Sequence, residues 1–236
     1  GRDLHFPLRR QRQMRIRDGV MKSASGLSPV NNAITAPILL LVEGEDEEFL
    51  VRKMCEHWFE GRAQAIDIEN VKGRANFPAS FKALKVRSLG ELKVVGVIAD
   101  SEEDPAATAQ RWASLFDDVE PEINRPCRKL QLPQQDRPGA FEALVLDALK
   151  GDVIADCATG FRDCVTPHLD KPTLAQQDKI AVQAWLSAKM GNAYGNVFKA
   201  QAKYPDVQLL NYDHAAFVPN RTFIKALLDI ALPAEI

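Results

Sequence analysis

Two stretches of this chain set carboxylates where chemistry can use them. In Ala36 to Leu50, APILLLVEGEDEEFL, the apolar run Ile38 to Val42 meets Glu43-Gly44-Glu45-Asp46-Glu47-Glu48 with no spacer. The second stretch, Leu92 to Ala99, ends the same way, in Asp100-Ser101-Glu102-Glu103-Asp104-Pro105. Glu43 closes a strand, and Gly44 lets the backbone turn tightly and approach a ligand. Glu47 falls in the first turn of a following helix and faces back toward the same spot. Asp100 and Glu102 are two apart, and residues two apart in extended chain point the same way. Four carboxylates sharing a cleft repel one another unless a cation sits among them. Oxygen-only ligands favour Mg2+ or Mn2+ over zinc. Acids also gather at helix N-termini because the helix dipole favours them. That accounts for some of this cluster, but not for acids abutting two buried strands.

The elements that must position these groups follow from periodicity. Ile38 to Val42 reads as a strand buried on both faces of a parallel sheet. Glu45 to Glu60 reads as a helix ended by Gly61. Ala65 to Val71 is a second strand, and Lys72 to Asn76 a short basic turn. Pro78 opens a helix running to Val86, and Leu92 to Ala99 is the third strand. Pro105 takes a helix N1 position ahead of Ala106 to Phe116. Asp117 to Asn124 reads as an acidic loop, and Cys127 to Leu132 as a fourth strand. Helices are expected over Gly139 to Leu149, Val153 to Val165 and Leu174 to Met190, the last capped by Thr173. The last of these turns Ile180, Ala184 and Trp185 inward and is broken by Gly191 and Gly195. A short helix at Asn196 to Lys203, a strand at Val207 to Leu210, and a final helix over Arg221 to Ile230 capped by Asn220 complete the reading. Alternating strands and helices predict a doubly wound α/β fold: a Rossmann-like open, mainly parallel sheet flanked by helices, with a helical C-terminal extension. In such sheets the site lies beyond the carboxyl ends of the strands, where both acidic turns fall. Three segments are expected: a basic arm or leader over 1–35, a core over 36–150, and a helical extension over 151–236.

Composition narrows the class. The formal net charge of −2 gives no overall attraction to nucleic acid, so any such surface is a local patch. Residues 1–20 carry six arginines against two aspartates, a leader ahead of Met21 or an arm that touches phosphate. The four cysteines, Cys55, Cys127, Cys157 and Cys164, contain no CxxC pair and read as reduced packing residues of a cytoplasmic protein. No apolar run approaches the roughly 18 residues of a membrane span.

Leu41-Val42-Glu43-Gly44-Glu45-Asp46-Glu47-Glu48-Phe49-Leu50, followed by Val97-Ile98-Ala99-Asp100-Ser101-Glu102-Glu103-Asp104, resembles the Toprim fold of topoisomerases, bacterial primases and overcoming-lysogenisation-defect (OLD) nucleases. The likeness is strongest to small stand-alone Toprim-like proteins similar to those nucleases. The resemblance implies that Glu43 is a general acid/base or metal ligand, that Glu47 is its partner, and that Asp100 and Glu102 are the Mg2+-binding pair. Glu102 departs from the family's second Asp, and Asp104 is an alternative. Pro138-Gly139-Ala140-Phe141-Glu142 resembles a later element of the nuclease branch, which makes Glu142 a further ligand; Lys179 matches a trailing lysine that stabilises phosphate charge. Mg2+ or Mn2+ would then polarise a phosphodiester, with Lys72, Arg74 and Lys179 supplying positive charge. No tyrosine stands in the acidic turns, so covalent attack of the topoisomerase type is not implied. Tyr194, Tyr204 and Tyr212 read as packing.

These readings predict a metal-dependent nuclease or phosphodiesterase acting on DNA or RNA, in a defence setting, as a homo-oligomer or with an ATPase partner. A non-catalytic Toprim-like module that binds metal or nucleic acid is the alternative. A receiver-like or dehalogenase-like phosphotransfer domain with Asp100 as the modified residue is a third.

Overall fold

Four strands pair side by side in the computed structural model, which describes residues 34–134, 136–190 and 209–233. They are β1 (Ile38–Val42), β2 (Ile66–Asn70), β3 (Val94–Asp100) and β4 (Cys127–Leu132), all parallel, in the order β2-β1-β3-β4. Seven α-helices stand among the described residues: α1 (Glu45–Trp58), α2 (Phe77–Leu84), α3 (Pro105–Ile123), α4 (Phe141–Ala148), α5 (Val153–Val165), α6 (Leu174–Met190) and α7 (Val218–Ala231). The result is an α/β architecture with an open, all-parallel, Rossmann-like sheet.

The all-apolar β1 is buried on both sides, because successive side chains alternate between faces. Ile38, Leu40 and Val42 join Val94 and Ile98 in one core layer, with Met54 of α1, Leu144 of α4, Trp185 of α6 and Leu227 of α7. Leu39 and Leu41 join Val95 and Val97 in the other, with Phe77 and Phe81 of α2 and Trp112 of α3. The β1–β2 crossover helix thus lies on one face, and the β2–β3 and β3–β4 crossover helices on the other. The chain reverses its winding between β1 and β3, and that reversal opens a crevice at their carboxyl ends.

Several local expectations are corrected. The acidic stretch after Phe116 is helix, not loop: α3 continues to Ile123, because Val119 and Ile123 extend the buried stripe of Thr108 and Trp112. It stops at Asn124, which adopts a left-handed φ of 51°. The last helix begins at Val218, and Asn220 is buried in its first turn rather than capping it. On α6 the buried stripe is Ala181, Val182, Trp185 and Leu186; Ile180 and Ala184 are only partly covered. Thr173 caps α6 as expected, its hydroxyl accepting from the Gln176 N–H (3.2 Å) while Gln176 Oε1 accepts from the Thr173 N–H (2.9 Å). Cys55 and Cys127 are buried, but Cys157 and Cys164 are exposed on α5 rather than packed in the core. Of the strand expected at 207–210, residues 209 and 210 carry none. The segment 1–33, the break at Gly191 and Gly195, the helix at 196–203, Tyr194 and Tyr204 lie outside the described residues. Among the described residues no helix is long and apolar enough to cross a membrane.

Gly96 of β3 marks where α7 lies closest to the sheet. A Cβ there would stand 2.6 Å from Leu227 Cδ1 and 2.8 Å from Leu40 Cδ1. Gly96→Ala is therefore expected to lower stability by about 1–3 kcal/mol through overpacking. Urea unfolding followed by circular dichroism should show a lower midpoint with an unchanged slope.

Candidate functional site

β1 and β3 pair in parallel with Val42 opposite Ile98. Glu43 and Asp100 therefore emerge within one residue of the same level, on adjacent strands at the winding reversal. Asp100 keeps the phase of Val94 and Ile98, so it faces the layer that holds α1 and α4. Those helices begin in the same crevice. Glu47 lies in the first turn of α1 and Glu142 in the first turn of α4.

Backbone hydrogen bonds clamp this geometry. The Val71 N–H donates to the Val42 carbonyl (2.9 Å) and the Gly73 N–H to the Glu43 carbonyl (2.8 Å), tying the turns after β1 and β2 together. On the other side the Glu102 N–H donates to the Gly139 carbonyl (2.8 Å), and the Gly139 N–H to the Glu102 carbonyl (2.7 Å). The Phe141 N–H donates to Asp100 Oδ1 (2.8 Å), so Asp100 caps the start of α4, one residue before Glu142. The Glu43 carboxylate takes backbone N–H groups of Arg74 and Asp100, while its Oε2 is buried with no hydrogen-bond partner. Gly44 is needed for space: a Cβ there would stand 2.7 Å from Glu47 Oε2.

The carboxylates sense one another. Burial, then the charges of Glu43, Glu47 and Glu142, hold Asp100 well above the usual aspartate range. Burial, then Glu142 and Glu43, push Glu47 up to about 7. Burial also raises Glu43, against the opposing charge of Arg74, and raises Glu142, against Lys179. Glu43, Glu47, Glu142, Lys72 and Lys179 line one cleft of about 450 Å³. Lys179 Nζ stands 4.0 Å from Glu142 Oε1, so α6 brings that lysine to the carboxylates across a long stretch of sequence.

Glu102 is not brought into this set. The extended-chain premise fails because the strand ends at Asp100 and Glu102 adopts a left-handed φ of 60°. Ser101 is buried between them, its N–H donating to the Leu132 carbonyl (2.7 Å) and its hydroxyl to the Gln134 carbonyl (2.8 Å). The Glu102 carboxylate instead pairs with Arg74 and with Arg111 of α3. Asp104, the alternative ligand, caps α3 by accepting from the Ala107 N–H (2.9 Å).

The donor set suits a hard cation: carboxylate oxygens only, one of them buried and unpartnered. Among the described residues, however, no three His, Cys, Asp or Glu side chains are placed to hold a metal ion. Glu43, Glu47, Asp100 and Glu142 do not form such a group as they stand. Sequence reasoning missed Asn70, which lines the cleft and donates from Nδ2 to Glu48 Oε2 (2.5 Å). Its signal was a polar residue ending β2 opposite Val42. It also missed Arg111, which no local pattern distinguishes from any other helix arginine.

The fold and crevice define an open parallel α/β protein with an acidic site at its winding reversal. The chain belongs to the family described as protein of unknown function DUF3226, whose model matches residues 37–229. No curated protein matches the sequence. Among solved structures, the C-terminal region of the Xanthomonas campestris pv. campestris OLD protein matches at 18% identity with a TM-score of 0.42, covering 82% of this chain and 96% of that one. That likeness is too distant to bear on function.

The raised carboxyls predict how the chelated protein responds to pH. Below about 4.5 Glu47 is protonated in both folded and unfolded chains, and its contribution to stability is fully present. As pH rises from 4.5 to about 7 the unfolded chain ionises first, so stability falls. Glu47→Gln is expected to raise stability at pH 8 by up to about 3 kcal/mol and to leave it nearly unchanged at pH 4.5. Urea unfolding in EDTA at the two pH values checks this.

Proposed function

We propose that this protein is a Toprim-type, Mg2+- or Mn2+-dependent phosphodiesterase acting on nucleic acid. The observation that carries this reading is the convergence of Glu43, Glu47 and Glu142 on the carboxyl ends of β1 and β3, where the charges of all three bear on Asp100. Asp100 and Glu47 are raised by burial and then by neighbouring carboxylates, and a cation among them would relieve both costs. Glu47, Asp100 and Glu142 would hold the ion together with Glu43. A bound ion would supply Lewis-acid polarisation of a phosphate oxygen.

The chain's own groups take the remaining roles. Glu43 is held by two backbone N–H groups yet keeps Oε2 without a partner. That oxygen is free to accept a proton from an attacking water or to return one to a leaving oxygen. Lys72 and Lys179 stand on the rim, where they attract and orient a phosphate. Both are exposed, so their charge steers rather than fixes the substrate.

The second reading is a metal-binding module without turnover. It is favoured by the use of Asp100 as the cap of α4 and by the pairing of Glu102 with two arginines. Incubating purified protein with labelled single- and double-stranded DNA and RNA, with Mg2+ or Mn2+, separates the two. The phosphodiesterase reading expects cleavage that EDTA abolishes and that falls about 100-fold or more in Glu43→Gln and Asp100→Asn. Mn2+ binding by calorimetry, with no cleavage of any substrate, would leave the module reading in its place.

Gly44→Ala tests the cleft from its backbone. The new Cβ displaces only the end of the Glu47 side chain, so the variant should fold like the parent while binding Mn2+ about tenfold more weakly. Unchanged Mn2+ affinity by calorimetry would remove Glu47 from the ligand set.

A further inference from the structure

Arg74 and Arg111 come from α2's approach and from α3, yet both close on a single carboxylate, that of Glu102. Arg111 is also braced from behind, its Nη2 donating to the buried Thr108 hydroxyl (2.6 Å). Two guanidinium groups converging on one anionic point is the arrangement that receives a phosphate.

Directly beneath these two arginines lies a cavity of about 200 Å³ between α2 and α3. Its floor is Phe77 and Trp112, edge to face with ring centroids 4.8 Å apart, and its walls are Pro78 and Leu115. Sites for drug-sized ligands occupy about 300–1,000 Å³, so this slot has the capacity of one planar ring system rather than of a whole nucleotide. An apolar, aromatic-floored slot beneath two cations suits a flat base joined to a phosphate.

The slot's two arginines reach the acidic residues at the strand ends. Arg74 supplies the positive charge felt by Glu43, and Arg111 also lines the cavity that contains Asp100 and Glu102. We infer that the slot between α2 and α3 is a nucleobase subsite, taking the base of a nucleotide whose phosphate lies between Arg74 and Arg111. The incoming phosphate replaces the Glu102 carboxylate as the partner of both arginines. As the substrate subsite of a phosphodiesterase, this inference rests on the reading of the crevice given above. It further specifies an unpaired nucleotide as the substrate class, since a base stacked within a duplex cannot enter the slot.

The test is binding in EDTA, so that no metal-dependent step contributes. Adenosine 5′-monophosphate, ribose 5-phosphate and adenosine are titrated separately into the full chain at fixed ionic strength. The reporter is the Trp112 indole N–H resonance, assigned by its loss in Trp112→Phe. The monophosphate is expected to shift that resonance saturably, with ribose 5-phosphate and adenosine each binding about tenfold more weakly or worse. Arg111→Ala, at an exposed position, should weaken the monophosphate about tenfold. Leu115→Phe, which fills the slot, should abolish the preference for the monophosphate while leaving ribose 5-phosphate binding unchanged. Equal affinity for monophosphate and ribose 5-phosphate, or a preference that survives Leu115→Phe, overturns the proposal. Selective monophosphate binding by a protein that cleaves nothing would sink the phosphodiesterase reading and leave the slot standing. Cleavage without that selectivity would do the reverse.

Discussion

The structure depends on β1 lying beside β3 in parallel register. That pairing sets Val42 opposite Ile98 and brings the two strand ends out side by side. Because β2 and β4 then flank this pair on opposite sides, the crossover helices must divide between the two faces. No crossover passes over the ends of β1 and β3, so they open into a crevice. Four carboxylates are delivered to that crevice: Glu43 and Asp100 by the strands, Glu47 and Glu142 by the first turns of helices that start there.

Placing four carboxylates together opposes folding. Each loses hydration on burial, Asp100 and Glu47 also feel the charges of the neighbouring carboxylates, and the raised pKa values of Glu43, Glu47, Asp100 and Glu142 express that cost. The surroundings offset it in part. Backbone N–H groups of Arg74, Asp100 and Phe141 point at carboxylate oxygens, and the helix N-termini contribute partial positive charge. The two apolar layers around β1 and β3 hold the strand ends in place despite the repulsion.

The arginines divide the crevice into two electrostatic halves. Glu102, turned aside by its left-handed backbone, keeps Arg74 and Arg111 together on the α2–α3 side. Lys72 and Lys179 stand on the α1–α4 side, next to Glu47 and Glu142. Positive charge therefore lies on both flanks of an acidic centre. This local pattern does not show in the net charge of −2 of the whole chain.

The four strands, the helices that link them and the acids at two strand ends were legible in the sequence. They are local: an apolar run such as Ile38 to Val42 has one comfortable fate, and acids directly after it must emerge where it ends. Sequence also singled out Glu142 and Lys179, which line the same cleft as Glu43, though only by likeness to a pattern, since nothing local ties them to Glu43. The remaining features were decided by tertiary structure. Glu102 left the set because burying Ser101 and zipping Glu102 to Gly139 turned the backbone, a long-range event that spacing cannot reveal. The acidic stretch after Phe116 became helix because Val119 and Ile123 found a core to bury in. Arg111 and the slot over Phe77 and Trp112 exist only where α2 and α3 meet. Short-range patterning determines which elements form and what they carry; which of those groups come to share a site is settled by packing between residues far apart in the chain.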